Sequence, residues 1–309
     1  MSIAKIDAVL PLTLKDYERS SILRKSLRLF FMDLGKCWVV TPDKQFHEIK
    51  SKLKEDNYCV IQESILIPEL KFYRAANKIY PKSLPITGGW YVQQLVKMAI
   101  AERIETPFYL TLDADVICTR RVEFSDLIQD GRVISRRTRQ DLHPKWYNWS
   151  ERVLGLTRSG LTHGVTPALL SKDAMIELQN YLSQRVSPVC KIFGSLPKNS
   201  SILSNLFKSW RSYLIRSLPW TEYALYNTFL GAFNLYEKYH IDMGNYAIYD
   251  NSVWQREMFA SWDPKKSFDG NRNFFFTVVQ SNARISVMEV WEKVGRYLEI
   301  DEQTTSERV

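Results

Sequence analysis

The sequence predicts an α/β fold: a doubly wound, mostly parallel sheet flanked by helices, with a smaller region on its later side. Three observations predict it. Short apolar runs alternate with segments of helical period three times within roughly the first sixty residues. A longer apolar run, Pro107 to Ile117, then carries two carboxylates, Asp113 and Asp115, one residue apart. Proline and glycine punctuate the approach to it, at Pro68, Pro81, Pro85 and Gly88-Gly89.

Taken in order, Lys5 to Pro11 reads as a first strand closed by proline, and Tyr17 to Asp33 sets Ile22, Leu23, Leu27 and Phe30 at helical spacing. Lys36 to Val40 is the second strand. Thr41-Pro42-Asp43 then starts a helix expected to reach Leu53, and Tyr58 to Ile61 is the third strand. Gly88-Gly89 opens a helix from Trp90 to Glu102, which feeds the strand Pro107 to Ile117. Gly131 to Ser135 reads as a strand followed by the basic run Arg136-Arg137-Thr138-Arg139, and Ser159 to Leu170 as strand, tight turn and strand. A helix from Ser171 to Leu182, an amphipathic helix over 201–218 and a helix started by Thr221 follow. Late strands are expected at Asn245 to Tyr249 and Phe274 to Gln280, and a last helix at Val287 to Leu298; the tail 301–309 has no apolar period and is expected to fray.

The 309 residues are 45% apolar and 25% charged, the balance of a globular chain with a sizeable core. The net charge of +8 suits an anionic ligand or surface. No nucleic-acid-binding motif accompanies it, so nucleic acid is not an expected partner. Cys37, Cys59, Cys118 and Cys190 are widely spaced without a metal-ligand pattern and read as reduced thiols of a cytoplasmic protein. No run reaches the roughly 18 to 20 apolar residues of a membrane span.

The chemistry is expected around Asp113 and Asp115. On an extended backbone they point to the same side, so two hard oxygen ligands converge on one Mn²⁺ or Mg²⁺ whose shell phosphate oxygens complete. The plainer alternative is that they cap a turn. Gln93, Gln94 and Lys97 lie on the preceding helix, where they face either solvent or a phosphate or sugar. Trp90 is either core or a stacking platform, and His163-Gly164 sits in a turn that lets backbone approach a ligand. Thr221 is a candidate N-cap that puts Glu222 in the first helical turn, as a partner of the helix dipole or as a general base. Trp254 and Trp262 suit stacking on an acceptor sugar or core packing. The aromatic stripe of 201–218 suits a membrane interface or packing on its own domain.

Together, Gly89-Trp90-Tyr91-Val92-Gln93-Gln94-Leu95-Val96-Lys97, Asp113-Ala114-Asp115, Glu222-Tyr223-Ala224-Leu225-Tyr226 and Val279-Gln280-Ser281-Asn282 resemble the GT-A superfamily of nucleotide-sugar-dependent glycosyltransferases. More narrowly they resemble a group of bacterial GT-A-like proteins of largely unassigned function. The resemblance implies a GT-A-like fold with a nucleotide-sugar half over 1–130 and an acceptor-side half over 131–300. It implies a sugar passed from a nucleotide-diphosphate donor, a UDP-sugar first, to a hydroxyl of a glycan or lipid-linked acceptor, in the biosynthesis of a cell-surface polysaccharide at the inner face of the membrane. Asp115 would hold Mn²⁺ or Mg²⁺ directly, and Asp113 would hold the ribose or the metal through water. Pro11 and Leu12 would border the base, and Trp90, Gln93, Gln94, Lys97, His163, Gly164, Gln280 and Ser281 would complete the donor site. Glu222 would be the base. Many members add a late histidine or aspartate to the metal; here the polar residues after Phe274 are Gln280, Ser281 and Asn282. The rivals are a haloacid-dehalogenase-type phosphatase, which also carries Asp-x-Asp after a strand, and a non-catalytic glycan- or membrane-binding module.

Overall fold

The computed structural model describes residues 4–54, 57–79, 89–137, 143–159, 165–192, 209–217, 219–244, 246–269 and 274–299, with the side chains of 76–79 and 186–192 outside that description. His163, Gly164, residues 201–208 and 218 of the expected helix 201–218, and the tail 301–309 therefore lie outside the described residues.

The central sheet is built from β1 (Ile6–Pro11), β2 (Leu34–Thr41), β3 (Tyr58–Gln62), β4 (Phe108–Thr111) and β8 (Ala168–Ser171), in the order β3-β2-β1-β4-β8. All pairings are parallel except β4 with β8. Every residue of β1 is buried, because helices cover both faces. Alternation divides its side chains. Ile6, Ala8 and Leu10 join Leu23 and Leu27 of α1 (Ser20–Phe30) and Ile49 of α2 (Phe46–Lys52). Val9 points the other way, with Leu95 and Met98 of α3 (Gly89–Ala99) and Met175 and Leu178 of α4 (Lys172–Ile192). The mixed α/β architecture with a mostly parallel, two-sided sheet is thus the one expected.

Gly35, at the start of β2, shows how tightly these strands pack. A Cβ there would lie 2.4 Å from Asp7 Oδ1. That buried carboxylate accepts the backbone N–H groups of Lys36 at 2.9 Å and Glu105 at 3.3 Å. Gly35→Ala is expected to push Asp7 off both donors and cost about 1–3 kcal/mol, read as a lower urea midpoint at unchanged slope.

Sheet order reverses between β1 and β4, since β2 lies on one side of β1 and β4 on the other. Open α/β sheets bind ligands at the carboxyl ends of strands flanking such a point. There the single strand expected from Pro107 to Ile117 breaks. Leu112 still donates to Val9 O at 2.9 Å, but Val116 N donates to Asp113 O at 3.2 Å and closes a turn. The chain then leaves the sheet as β5 (Val116–Cys118), paired antiparallel with β10 (Phe276–Val278). Asp113 and Asp115 therefore sit in a turn between two sheets, and strand alternation is not what brings them together.

A third sheet joins β6 (Ile128–Gln129), β7 (Arg132–Ser135) and β9 (His240–Asp242). Of the expected strand, turn and strand at 159–170, the described part forms only β8. The expected strand Asn245 to Tyr249 is not formed in its described part, 246–249, which touches β10 through one bridge, Tyr249 with Phe276. The helix expected at 171–182 runs on to Ile192. Within 201–218, Trp210–Arg216 forms α5, capped by Ser209, with Trp210, Leu214 and Ile215 buried in the core. This described part packs on its own fold. No helix of the described residues is long and apolar enough to cross a membrane.

Candidate active site

Helix α3 presents Trp90, Gln93, Gln94 and Lys97 at positions i, i+3, i+4 and i+7, one face of a helix whose opposite side packs in the core. Helix α6 (Glu222–Ala232) points its N-terminus at the same place. The Thr221 hydroxyl caps it by accepting the Ala224 N–H, and Glu222 and Tyr223 fall in the first turn. The turn after β4 brings Asp113 and Asp115, and the segment after β10 brings Gln280. These groups surround a cavity of about 140 Å³ whose wall also includes Trp146, Thr166 and Trp254. Trp90 is 48% exposed and Trp254 36%, unusual for tryptophan, and Trp90 lies 6.1 Å from Trp146.

Lys97 is at the centre. Its side chain is 4% exposed, and its ammonium spends its three hydrogens on Asp113 Oδ1 (2.9 Å), Glu222 Oε1 (3.4 Å) and Thr166 Oγ1 (2.8 Å). It also sits over the Tyr223 ring at 5.7 Å. Burial alone would pull the ammonium below its ordinary value, but the charges around it, Asp113 foremost, outweigh burial and hold it above, so it stays protonated. The Tyr223 hydroxyl is fixed between Thr111 Oγ1 at 2.7 Å and Thr166 Oγ1 at 2.8 Å.

Glu222 is 3% exposed, and its backbone N–H donates to Gln94 Oε1 at 3.2 Å. Burial pushes its carboxyl above the ordinary range and outweighs the pull of Lys97 in the other direction. Because the Gln94 oxygen is taken by that N–H, its amide nitrogen is the group left buried without a partner among the described residues. Asp115 is pushed up to about 6, by burial first and by the charge of Asp113 second. The Ser281 backbone N–H on Asp115 Oδ2, at 2.7 Å, works against that rise.

Of the residues expected from the sequence, Trp90, Gln93, Gln94, Lys97, Asp113, Asp115, Glu222 and Gln280 share one cavity, and Ser281 reaches it through Asp115. Pro11 and Leu12 do not. Both are buried in the sheet, Leu12 in the core at 1% exposure, and neither lines the cavity. The first strand ends inside the packed layer, which covers its last side chains. His163 and Gly164 lie outside the described residues. Trp262 is buried in a third core, with Phe259 and Val290, and is not at the site. Trp146, Thr166 and Tyr223 were not foreseen as site residues. Trp146 follows a proline helix start that carries no sign of a ligand, and Tyr223 reads as an ordinary apolar helix position.

A divalent cation fits the charge of this donor set. The wall carries three carboxylates and one ammonium, a surplus of two negative charges when all are ionised. Burial first and the charge of Asp113 second raise Asp115, and a bound cation would offset both. Among the described residues no group of three or more His, Cys, Asp or Glu side chains forms a metal cluster, so most of the shell would come from ligand oxygens and water.

Fold and cavity define an α/β protein with a charged crevice at the switch point of its sheet. The chain belongs to a family described as a family of unknown function (DUF6492), whose pattern spans residues 3–302. No curated protein sequence matches it. Among solved structures it is similar to mouse xyloside xylosyltransferase 1 (12% identity, 92% of this chain and all of that one, TM-score 0.46). It is also similar to the galactosyltransferase LgtC, solved with donor and acceptor sugar analogues (8%, 98% and 100%, TM-score 0.46). A third is the glycosyltransferase GlyE of Streptococcus pneumoniae (13%, 99% of this chain and 64% of that one, TM-score 0.40). At these values each likeness is one of outline only.

Proposed function

We propose that this chain transfers a sugar from a nucleoside-diphosphate donor to an acceptor hydroxyl, with a divalent metal assisting. The observation that carries the reading is the convergence on one cavity of two carboxylates beside a buried ammonium and a third carboxylate, at the carboxyl ends of β1 and β4. Asp115, with Asp113, would hold Mn²⁺ or Mg²⁺, which when bound neutralises the charge on a departing diphosphate. The chain's own groups do the rest. The Lys97 ammonium holds Asp113 and Glu222 at fixed positions, and the free amide nitrogen of Gln94 offers a donor to a phosphate or sugar oxygen. Trp90, Trp146 and Trp254 give the mouth flat faces for a base or a pyranose. Glu222, held at a helix N-terminus and raised by burial, would take the proton of an acceptor hydroxyl. The donor is a UDP-sugar on this reading, and the acceptor a glycan or a lipid-linked sugar.

The test is thermal shift with a panel of nucleoside diphosphates, each with and without Mn²⁺ or Mg²⁺. Stabilisation by one diphosphate that requires the metal is expected, by about 3 kcal/mol at a hundred times the dissociation constant. Indifference to every nucleotide returns the chain to a binding module. The pH dependence has a definite sign. A carboxyl raised in the folded state, as Asp115 is from 3.8 to about 6, opposes folding increasingly as pH climbs through that interval, because the folded chain binds the extra proton. A metal must displace that proton. Metal-dependent stabilisation is therefore expected to be weak near pH ~5, to grow through ~6 and to level off above ~7.

A further inference from the structure

A second and larger cavity, about 300 Å³, adjoins the first, and Val165 and Tyr223 line both. It lies among β7, β8, β9, α6 and the segment 246–250, with the tyrosines Tyr226, Tyr236, Tyr246 and Tyr249 around it. Its size is at the lower end of small-molecule sites. Arg136 and Asp250 are the ionic side chains of the wall, one of each sign, so the cavity favours a neutral occupant.

Two residues of that wall, His240 and Tyr246, each carry a buried polar atom, Nδ1 and the hydroxyl, with no hydrogen-bond partner among the described residues. The state of His240 follows from its neighbours. The Tyr226 oxygen accepts the Ser171 N–H at 3.1 Å and lies 2.8 Å from His240 Nε2, so the Tyr226 hydrogen is left to donate to Nε2. This puts the ring proton on Nδ1. Burial holds His240 down to about 3, so the ring is neutral, and Tyr236 stacks on it at 5.0 Å and 22°. His240 is 4% exposed, and Nδ1–H is a rigid, uncharged donor with no acceptor among the described residues. Buried groups left in this way are costly, and a ligand that answers them recovers the cost. A pyranose has both halves of the match: hydroxyls that donate and accept, and C–H faces that lie on aromatic rings.

We propose that this second cavity binds a neutral sugar ring, its hydroxyls on His240 Nδ1 and the Tyr246 hydroxyl, and that this ring belongs to the acceptor. The word acceptor rests on the transfer reading above; the sugar site does not. The shared wall at Tyr223 places such a ring beside Lys97 and Glu222.

The experiment is NMR on the full chain with methyl β-glucoside, methyl β-galactoside, methyl N-acetyl-β-glucosaminide and uridine, each at millimolar concentration. At least one glycoside is expected to show saturation transfer and to shift the His240 ring nitrogens. Tyr246→Phe deletes a hydroxyl that has no partner in the free protein, so it is expected to weaken that glycoside about 3- to 10-fold without lowering the melting temperature. Glycosides that leave His240 unmoved overturn the proposal, as does binding indifferent to Tyr246→Phe. A shift with uridine alone would make the cavity a base site and overturn it equally. If a nucleoside diphosphate still stabilises the chain in those cases, the transfer reading survives. Conversely, a glycoside held at His240 in a chain indifferent to every nucleotide keeps the sugar site and removes the transfer reading.

Discussion

Lys97→Met is expected to lower folding stability by about 3–5 kcal/mol and to abolish transfer, because it leaves two carboxylates in a cavity wall without the cation that compensates them. Asp113 and Glu222 converge on one ammonium at 2.9 and 3.4 Å, and both Glu222 and Lys97 are almost wholly buried. The methionine fills the space but answers neither charge, and the Thr166 hydroxyl loses the ammonium that it accepts from. Urea unfolding measures the stability term. The double variant Lys97→Met/Glu222→Gln separates it from mere loss of packing: removing one of the stranded charges is expected to restore part of the loss, a coupling of about 1–3 kcal/mol. A double variant as unstable as the sum of its parts would show that the ion pair does not hold the site together.

Glu222→Gln is expected to reduce kcat by about 10²- to 10⁴-fold while donor affinity stays within a few-fold of the parent. The amide keeps the volume and the cap geometry, since Thr221 still accepts the Ala224 N–H and the residue's own backbone N–H still reaches Gln94. What it loses is the ability to accept a proton. Steady-state kinetics with donor and acceptor varied separately make the comparison, and the melting temperature controls for folding. A drop in melting temperature of the size seen for Lys97→Met, with kcat little changed among folded molecules, would assign Glu222 to holding Lys97 and not to proton transfer.

Part of the fold and the grouping of the candidate site residues are legible in the sequence because they rest on local rules. Trp90, Gln93, Gln94 and Lys97 recur at helical spacing, Thr221 is a cap, and Val287–Leu298 is a helix whose start Ser286 and Glu289 box in. What escaped is set by partners far away in the chain. The letters from Pro107 to Ile117 are as apolar as one strand, but the chain stays bonded to the central sheet only as far as Leu112, and the next strand finds its partner in β10. Pro11 and Leu12 end a strand near the crevice, yet whether a strand end opens to a ligand depends on the layer packed over it. Tyr246, Ile248 and Tyr249 have a strand's composition, but their one bridge is at Tyr249, and their side chains line a cavity.

The turn that carries Asp113 and Asp115 is anchored from the far end of the chain. Val279 N donates to Asp115 O at 3.0 Å, and Ser281, 166 positions away in sequence, clamps the carboxylate itself. During synthesis the five-stranded layer can therefore close on the ribosome well before the acidic turn acquires its final shape. The acidic turn cannot take its mature shape until Val279 and Ser281 have emerged.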